Sequence, residues 1–429
     1  MRLVLVDRCE EARRKFYPLA LSRPLWELRC GFGTLGEKLI AKVGAAGIAY
    51  FVPDYMGQAY QAKKVEGAVN DMSALADDDL LILDGRVKAS GFDVAAKGAS
   101  EVGVDDQGNV VYARIAREDS GKLAGEDIEG FIGSAKAKLA NVECAAAKWE
   151  YTWDLVLANS EQITADFAGV GHSGIDGVVE EPGEILGGEK DVYVARGARV
   201  HPMVVIDAEQ GPVYIDEGAE IQPFSRIEGP CYIGKDSILL GAKCREGNSI
   251  GPMCRIGGEV EESIIHGHSN KYHDGFLGHA YVGEWVNLGA LTTNSDLKSD
   301  YSTVSVILDG RKGIDTGSTK VGSLIGDHAK TSIGTLLNTG SYVGAMAIIM
   351  ATGKPLPKYI PSFAWFIEGV VTKGFGRRKL YETAKIAMSR RGSEWSEAEE
   401  AMWEAIFKIT APQRKEAVAK GRKAMMARR

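Results

Sequence analysis

The chain has 429 residues and a formal net charge of −7, and 45% of its residues are hydrophobic. This length predicts two to three domains with substantial cores, and the acidic balance gives no general reason to expect nucleic acid or a membrane as a partner. The six cysteines lack paired C-x-x-C spacing, so reduced thiols are favoured over a disulfide framework or a zinc site. Without an apolar run long enough for a signal peptide or a membrane span, the sequence indicates a cytoplasmic protein.

Residues 1–145 alternate short apolar strands with helical patterns, which is typical of a parallel-sheet α/β domain. Three short apolar runs predict strands, and the first and third of them end in Asp7 and Asp84. Ligand sites of such sheets lie at the carboxyl ends of the strands. Asp84 is therefore a candidate Mg²⁺ ligand, with a turn-forming aspartate as the commoner alternative.

Residues 31–36, GFGTLG, match the dinucleotide-binding pattern G-x-G-x-x-G, but no clear strand precedes them. The alternative is a glycine-permissive turn that leads into a helix beginning near Leu35. The surrounding block at 16–39, FYPLALSRPLWELRCGFGTLGEKL, is the most distinctive part of this domain.

Residues 146–190 predict a connector between this head domain and a repeat domain. Trp149, Trp153 and Leu157 are spaced by four, which predicts one face of an amphipathic helix that packs against a domain. A glycine-rich polar stretch follows and leads into the repeats.

Residues 191–353 carry aliphatic residues at a six-residue step that fits neither a helix nor a flat strand. The step predicts a left-handed parallel β-helix of hexapeptide repeats, in which these residues point towards a shared axis. The alternative, a β-sandwich, would alternate by two. A break at 295–320 predicts a projecting arm. The repeat positions are Val194, Val200, Ile206, Ile215, Ile221, Ile227, Ile233, Ile238, Cys244, Ile250, Ile256, Phe276, Val282, Leu288, Ile325, Thr331, Leu337, Val343 and Ile349.

Five of the seven histidines lie between positions 266 and 328 of this domain. A zinc site is one interpretation, but no cysteine accompanies them. A general base is favoured, because acetyl transfer from a thioester to an amine requires one proton to be removed and no covalent enzyme intermediate. The five are His266, His268, His273, His279 and His328.

Residues 354–429 predict a proline-punctuated strap followed by three helices, at 377–391, 395–409 and 412–428. Residues 371–429 contain 15 Lys/Arg and seven Asp/Glu, a balance of +8 (15 − 7). Solvated helical faces are the default interpretation of this charge, and an anionic partner is the alternative.

Two segments resemble signatures of a divergent branch of the bifunctional N-acetylglucosamine-1-phosphate uridyltransferase/glucosamine-1-phosphate acetyltransferase family. In the head, the pattern PLxxxRPxxELRxGxxxxxEK is matched from Pro18 to Lys38. In the repeats, the segment that begins at Tyr272 is similar to x-H-x-x-x-L-G-x-A-x-[IV]-G-x-x-V-N-[IL]-G-A-x-T, with Asn294 two residues after the final threonine. Further matches are GGEVEES, SDLKSDY, IGDHAKTSIGT and LPKYIPSF, so the resemblance covers nearly the whole chain.

The resemblance implies an acetyl-CoA-dependent N-acetyltransferase that acts on an amino-sugar phosphate, coupled to sugar-1-phosphate nucleotidyl transfer. It implies that His273 is the general base. In the head it implies that Arg23 and Lys38 bind nucleotide phosphates and that Asp84 binds Mg²⁺. The substrate and acetyl-CoA contacts that it implies are Asn287, Ala290 and Asn294. Where the family has a basic pair before the histidine, this chain has acidic residues, and Arg255 and Lys271 are the candidates to replace that pair.

The partners implied are a small sugar phosphate and a nucleotide. A homotrimer is also expected, because relatives of this architecture complete their active sites between neighbouring coils. The alternative function is a non-catalytic trimeric scaffold whose head senses a sugar nucleotide.

Overall fold

The computed structural model describes residues 1–63 and 65–427. The predicted fold class is confirmed: an α/β head is followed by a left-handed parallel β-helix, here called the coil, and by a helical tail. Residues 428 and 429, at the end of the predicted tail, lie outside the described residues. None of the helices in the described part of the chain is long and apolar enough to cross a membrane.

The head contains a mixed seven-stranded sheet. Residue Val6 is in register with Asp84, so Asp7 and Asp84 both lie at the carboxyl ends of adjacent parallel strands, as predicted. In spatial order the strands are Ala68–Val69, Gly47–Phe51, Arg2–Val6, Leu80–Asp84, Val110–Ile115, Glu101–Val104 and Ala140–Glu143. The helices are Glu10–Arg14, Leu35–Val43, Asp54–Ala62, Arg117–Ser120 and Ile128–Lys138.

The GFGTLG segment forms the turn that the sequence offered as the alternative to a dinucleotide loop. The helix begins at Leu35, and Thr34 and Glu37 form a capping box at its start. Gly31 has φ +74°, and a Cβ there would lie 2.2 Å from a carboxylate oxygen of Asp166. This glycine is therefore required by a close contact with the connector.

The connector contains two helices, Thr152–Leu157 and Asn159–Val170. Trp149 and Trp153 are buried as predicted, but Leu157 is 40% exposed. The first helix ends at Leu157, so this residue does not continue the apolar face of the tryptophans.

The coil has three faces, each a ladder of short parallel strands, and extends into the segments predicted as connector and strap. The first face contains Gly174–Ile175, Val192–Val194, Val213–Ile215, Cys231–Ile233, Asn248–Ile250, Ile264–Gly267, Tyr281–Glu284, Leu324–Ile325, Tyr342–Val343 and Tyr359–Ile360. The second contains Val178–Val179, Arg199–Val200, Glu220–Ile221, Asn270–Lys271, Lys330–Thr331, Ile348–Ile349 and Trp365–Ile367. The third contains Glu184–Leu186, Val205–Asp207, Arg226–Glu228, Phe276–Gly278, Thr293–Asn294 and Leu336–Leu337. The strands Ile238–Cys244 and Arg255–Glu261 run from the second face into the third.

The register of the inward residues departs from the strict six-residue step at two predicted positions. The ladder is irregular between Leu240 and Lys243, so the inward residue before Cys244 is five residues earlier instead of six. It is Leu239, not Ile238, that pairs with Ile221 and is fully buried. Leu277, not Phe276, likewise pairs with Val260 and is 1% exposed. Shortened turns thus move the inward position by one residue.

The predicted arm at 295–320 contains an antiparallel hairpin of Ser305–Ile307 and Gly313–Asp315. In the tail, Val370–Thr372 pairs antiparallel with Trp365–Ile367 at the end of the coil. Three helices follow, close to the predicted bounds: Gly376–Ser389, Glu397–Ile409 and Ala411–Ala427.

The distinctive block at 16–39 packs against the first face of the coil. The amide of Arg29 donates to the Tyr281 hydroxyl at 2.7 Å, and the Ser249 hydroxyl donates to the carbonyl of Gly31 at 2.8 Å. The Phe32 ring lies 4.7 Å and 4.8 Å from the rings of Tyr214 and Tyr232. Most of this block is buried, so it forms the head–coil interface.

Candidate functional site

His273 is exposed at the turn between the second and third faces, here called the second corner. The turn is held from inside by Lys271, whose Nζ donates to the carbonyls of Gly257 and His273, both at 2.7 Å. It is also bonded to the next turn, because the amide of Leu291 donates to the carbonyl of Asp274 at 2.8 Å. The backbone that carries His273 is thus fixed while its imidazole faces outward.

Lys271 occupies a position on the coil axis, where it pairs with Ile256 and is 3% exposed. Burial lowers the pKa of its ammonium to about 8. Asn294 also points inward and exchanges two hydrogen bonds of 2.8 Å with the backbone of Gly278. Both residues were predicted as ligand contacts, but the structure places them inside the coil, bonded to its backbone, and their contact with a ligand stays a prediction.

Four polar residues share one register position along the second face, close to His273. Arg255 pairs with Asn270, which pairs with Asn287, which pairs with Lys330. The side-chain Nδ2 of Asn270 donates to the side-chain oxygen of Asn287 at 3.1 Å. Asn270 lies three residues before His273, which limits their Cα separation to about 10 Å. The predicted contacts Arg255 and Asn287 therefore lie on the surface next to His273.

Arg391 is a residue of this surface that sequence reasoning missed. It follows the first tail helix, and its Nη2 donates to the side-chain oxygen of Asn270 at 2.8 Å. Burial and the nearby Arg255 lower its pKa. Within the described part of the chain neither arginine forms an ion pair, so their charges are free for an anion. The only sequence signal was the basic character of the tail, which does not identify a single residue.

Ala290 lies at the next turn of the second corner and is half-buried. Its carbonyl accepts a hydrogen bond from the amide of Gly334 at 2.8 Å. The small side chain leaves the surface beside His273 open, which is compatible with its predicted contact with acetyl-CoA.

Arg23 is buried in the head–coil interface, where its guanidinium is paired with Asp327 and lies 3.3 Å from Glu284. The Ser22 hydroxyl donates to the same Asp327 carboxylate at 2.5 Å. These carboxylates raise the pKa of Arg23 against the effect of burial. The guanidinium of Arg23, which was predicted to bind nucleotide phosphates, is thus already paired with two acids of the coil.

Lys38 and Asp84 have other partners. The Nζ of Lys38 lies 2.8 Å from Asp166 and 3.0 Å from Gln162, both on the second connector helix. Asp84 accepts from Arg86 through both carboxylate oxygens, at 3.0 Å and 2.6 Å. The structure therefore places Arg23, Lys38 and Asp84 in separate contacts instead of around one pocket, and their predicted roles stay predictions.

The residues around Asp84 do not fit the Mg²⁺ site that was predicted there. Both oxygens of Asp84 are engaged by Arg86, and the neighbouring Asp7 is buried and paired with Arg13. No cluster of three metal-ligating side chains was found among the residues that the structure describes. We derive no step through this ion.

His279 lies at the turn between the third and first faces and is clamped between two carboxylates. Its Nδ1 lies 2.8 Å from Asp296 and its Nε2 lies 3.0 Å from Glu262. Although burial opposes the charged form, the two acids raise the pKa of His279 to about 9, and the histidine lowers the pKa of both acids. The imidazolium thereby fixes the base of the arm at Asp296.

This clamp predicts that stability falls in alkali. Because the folded pKa of His279 is raised above its usual value, the stabilisation is complete below about pH 6.5 and is lost as the pH rises through about 9. A pKa raised from 6.5 to about 9 corresponds to ~3 kcal/mol. Denaturant unfolding at both pH values should show this loss in the wild type and little of it in His279→Gln. The exposed control, His172→Gln, should keep the wild-type slope, and an identical slope in all three proteins would contradict the clamp.

The chain is similar to a family model, to curated proteins and to solved structures. The family model for sugar nucleotidyl transferases matches residues 3–173. The chain is 37% identical to a bifunctional sugar-1-phosphate nucleotidylyltransferase/acetyltransferase of Sulfurisphaera tokodaii, over 33% of this chain and 35% of the relative. It is 31% identical to the bifunctional protein GlmU of Jannaschia sp., over 46% of this chain and 40% of the relative. The resemblance to the bifunctional family is thereby confirmed.

The chain spans about a third to two fifths of the length of these curated relatives. Solved structures similar to it include the UDP-N-acetylglucosamine acyltransferases of Arabidopsis and Campylobacter jejuni. The first is 12% identical, with a TM-score of 0.24, over 57% of this chain and 94% of that one. The second is 14% identical, with a TM-score of 0.19, over 53% and 94%.

Proposed function

We propose that this relative of the bifunctional nucleotidyltransferase/acetyltransferases is an acetyl-CoA-dependent N-acetyltransferase for an amino-sugar phosphate. The observation that carries the proposal is the second corner. There an exposed imidazole, His273, is held on a fixed backbone by Lys271, beside a surface of amides and unpaired cations. A scaffold has no need of this combination.

The proposed reaction is direct acetyl transfer with His273 as general base. The acceptor amine attacks the thioester carbonyl, so that an N–C bond forms and the C–S bond breaks. His273 takes the proton that the nitrogen loses and passes it to the departing CoA thiolate. Orientation of the two substrates on a rigid coil supplies the remaining acceleration.

The phosphate-binding role belongs in this proposal to Arg255 and Arg391. Their guanidinium groups lie on the second face with no acidic partner among the described residues, and guanidinium matches phosphate geometry. Asn287 and Asn270 supply amide donors and acceptors between them. The acceptor phosphate and the phosphates of CoA are the anions that these groups would hold.

For the head we propose nucleotide binding coupled to sugar-1-phosphate nucleotidyl transfer. A cavity of about 560 Å³ lies beyond the carboxyl ends of the strands that end near Asp7 and Asp84. Its lining contains five carboxylates and the cations Lys15, Arg86 and Lys148, each of which is paired with an acid. These three lie at the sheet edge where an α/β domain binds its ligand, whereas Arg23 is buried in the head–coil interface.

A homotrimer completes the proposed site. Exposed apolar side chains line the second corner on both sides of His273. Successive turns of this corner are joined by backbone hydrogen bonds, such as the one that the amide of Phe224 donates to the carbonyl of Met203 at 3.1 Å. Such a contiguous ridge is expected to pack against a second coil. Its members, 44–77% exposed, are Met203, Phe224, Leu240, Leu291 and Ile333.

Charges on this ridge are predicted to dissociate the oligomer. Leu291→Asp combined with Ile333→Asp should give the molar mass of a single chain in light scattering, because desolvating two carboxylates at an apolar interface is costly. The control, Ile386→Asp on the tail, also replaces an exposed apolar residue and should stay trimeric. A wild-type protein that is monomeric at working concentration would contradict the assembly.

The direct test of the proposed function is product analysis. The protein is incubated with acetyl-CoA and glucosamine 1-phosphate, or with the corresponding amino-sugar phosphates, and N-acetylated product is sought by mass spectrometry. Formation of product with one acceptor supports an enzyme. We propose that this enzyme works in the cytoplasm. Tight binding of a sugar nucleotide without product from any acceptor would favour the scaffold.

A further inference from the structure

A second cavity lies where the head, the coil and the tail meet. Its volume is about 400 Å³, within the range of small-molecule sites. The head contributes Ser22, the end of the helix Asp54–Ala62 and the following Lys63. The tail contributes Met388, Glu399 and Trp403, among others. The coil contributes its turn between the first and second faces, here called the first corner. This cavity is separate from the second corner that carries His273.

The first corner presents a stack of three aromatic side chains to the cavity. The rings of His268 and Trp285 lie 4.4 Å apart at 23°, and those of Trp285 and His328 lie 6.2 Å apart at 11°. All three line the cavity. Trp285 is the middle ring and stacks on both imidazoles, and a second indole, Trp403, also lines the cavity. Tryptophan rings attract cations through their quadrupole.

The charge of the lining is acidic. Glu284, Asp327, Glu394 and Glu399 line it, against the single lysine Lys63. Glu284 and Asp327 are also paired with Arg23, which is buried in the head–coil interface. The side chain of Glu399 forms no ion pair among the described residues, and burial, with Glu284 and Asp327 nearby, raises its pKa. An added cation would relieve this crowding of like charges.

A buried polar atom without a partner points to a ligand. His328 is 4% exposed, and its Nδ1 has no hydrogen-bond partner in the described structure. Burial lowers the pKa of this histidine to about 3, so the ring is neutral and adds no positive charge to the cavity. A buried polar atom left unpaired is costly, and a ligand in the cavity could satisfy it.

We propose that this cavity binds a small organic ammonium ion, held against its aromatic wall by the carboxylate of Glu399. The size of the cavity, its aromatic wall and its excess of carboxylates are the features that recognise such a cation. Because the three parts of the chain all contribute to its walls, the bound cation stabilises their docked arrangement. This binding is independent of the reaction at His273.

The test is a titration of the full chain with choline and n-butylammonium, followed by tryptophan fluorescence and by the thermal midpoint. Their uncharged isosteres, 3,3-dimethyl-1-butanol and n-pentanol, are titrated in parallel. Both ammonium ions should give saturable changes in the millimolar range or below and raise the midpoint. Glu399→Gln should weaken them about tenfold, as expected for loss of a charge contact next to an aromatic ring.

The matched control is Glu397→Gln, which removes an exposed carboxylate from the first turn of the same helix. It should leave ammonium binding at the wild-type level. Equal binding of the isosteres, unchanged binding in Glu399→Gln, or no saturable binding of either ammonium ion in the millimolar range would each overturn the proposal. An unliganded midpoint of Glu399→Gln equal to that of the wild type verifies that the variant is folded.

Discussion

Replacement of His273 by asparagine is expected to lower the turnover number of acetyl transfer by about 10²-fold or more, the usual scale for a lost general base. Asparagine retains a polar side chain at the exposed corner but accepts no proton. A histidine base works only when its imidazole is neutral. The wild-type rate should therefore fall in acid, and the residual rate of the variant should lose this acidic limb.

Binding and assembly should be unaffected, because neither requires the imidazole. Acetyl-CoA affinity by calorimetry and molar mass by light scattering are the two measurements that separate chemistry from folding. The control His172→Asn changes an exposed histidine outside the corner and should keep the wild-type rate. If His273→Asn turns over at the wild-type rate, the base lies elsewhere.

Replacement of Arg23 by methionine is expected to destabilise the protein by about 3–5 kcal/mol, since it leaves buried carboxylates without their counter-charge. Asp327 and Glu284 both depend on this guanidinium, and Asp327 is 3% exposed. Denaturant unfolding measures the loss. The added change Asp327→Asn should recover part of it, because a neutral amide costs less to bury unpaired than a carboxylate.

The same variant separates two roles for Arg23. The matched control Lys38→Met removes a more exposed ion pair to Asp166 and should cost about 1 kcal/mol or less. In a titration with Mg²⁺ and UTP, the folded Arg23→Met protein should retain nucleotide affinity, whereas Arg86→Gln should weaken it. Unchanged stability with loss of UTP binding in Arg23→Met would restore the phosphate role to this residue.

The coil could be predicted from sequence because its cause is local. Each turn must bury one aliphatic residue per face, so the period is visible along the chain. The predicted register was wrong at Ile238 and Phe276, where a turn is shortened. No residue type marks such a backbone irregularity in the sequence. The helix beginning at Leu35 was predictable for the opposite reason, since its capping residues are adjacent in sequence.

The site was predictable only in part. His273 and Asn287 lie on one continuous motif, and the structure keeps them on neighbouring surfaces. Arg391 comes from a helix more than a hundred residues away and reaches Asn270 only through tertiary packing. Arg23 lies in a conspicuous motif, but its partners Asp327 and Glu284 are still more distant in the chain. A motif identifies a residue without identifying what it contacts.

The most direct measurement of the central claim is a structure of the protein with CoA and an amino-sugar phosphate bound. If His273 is the base, the sulfur of CoA should lie at the second corner. The acceptor amine should lie within about 3 Å of the His273 imidazole, which is hydrogen-bond reach for a general base. Phosphate groups should contact Arg255 or Arg391 on the second face. CoA bound away from this corner, with His273 free in solvent, would contradict the account.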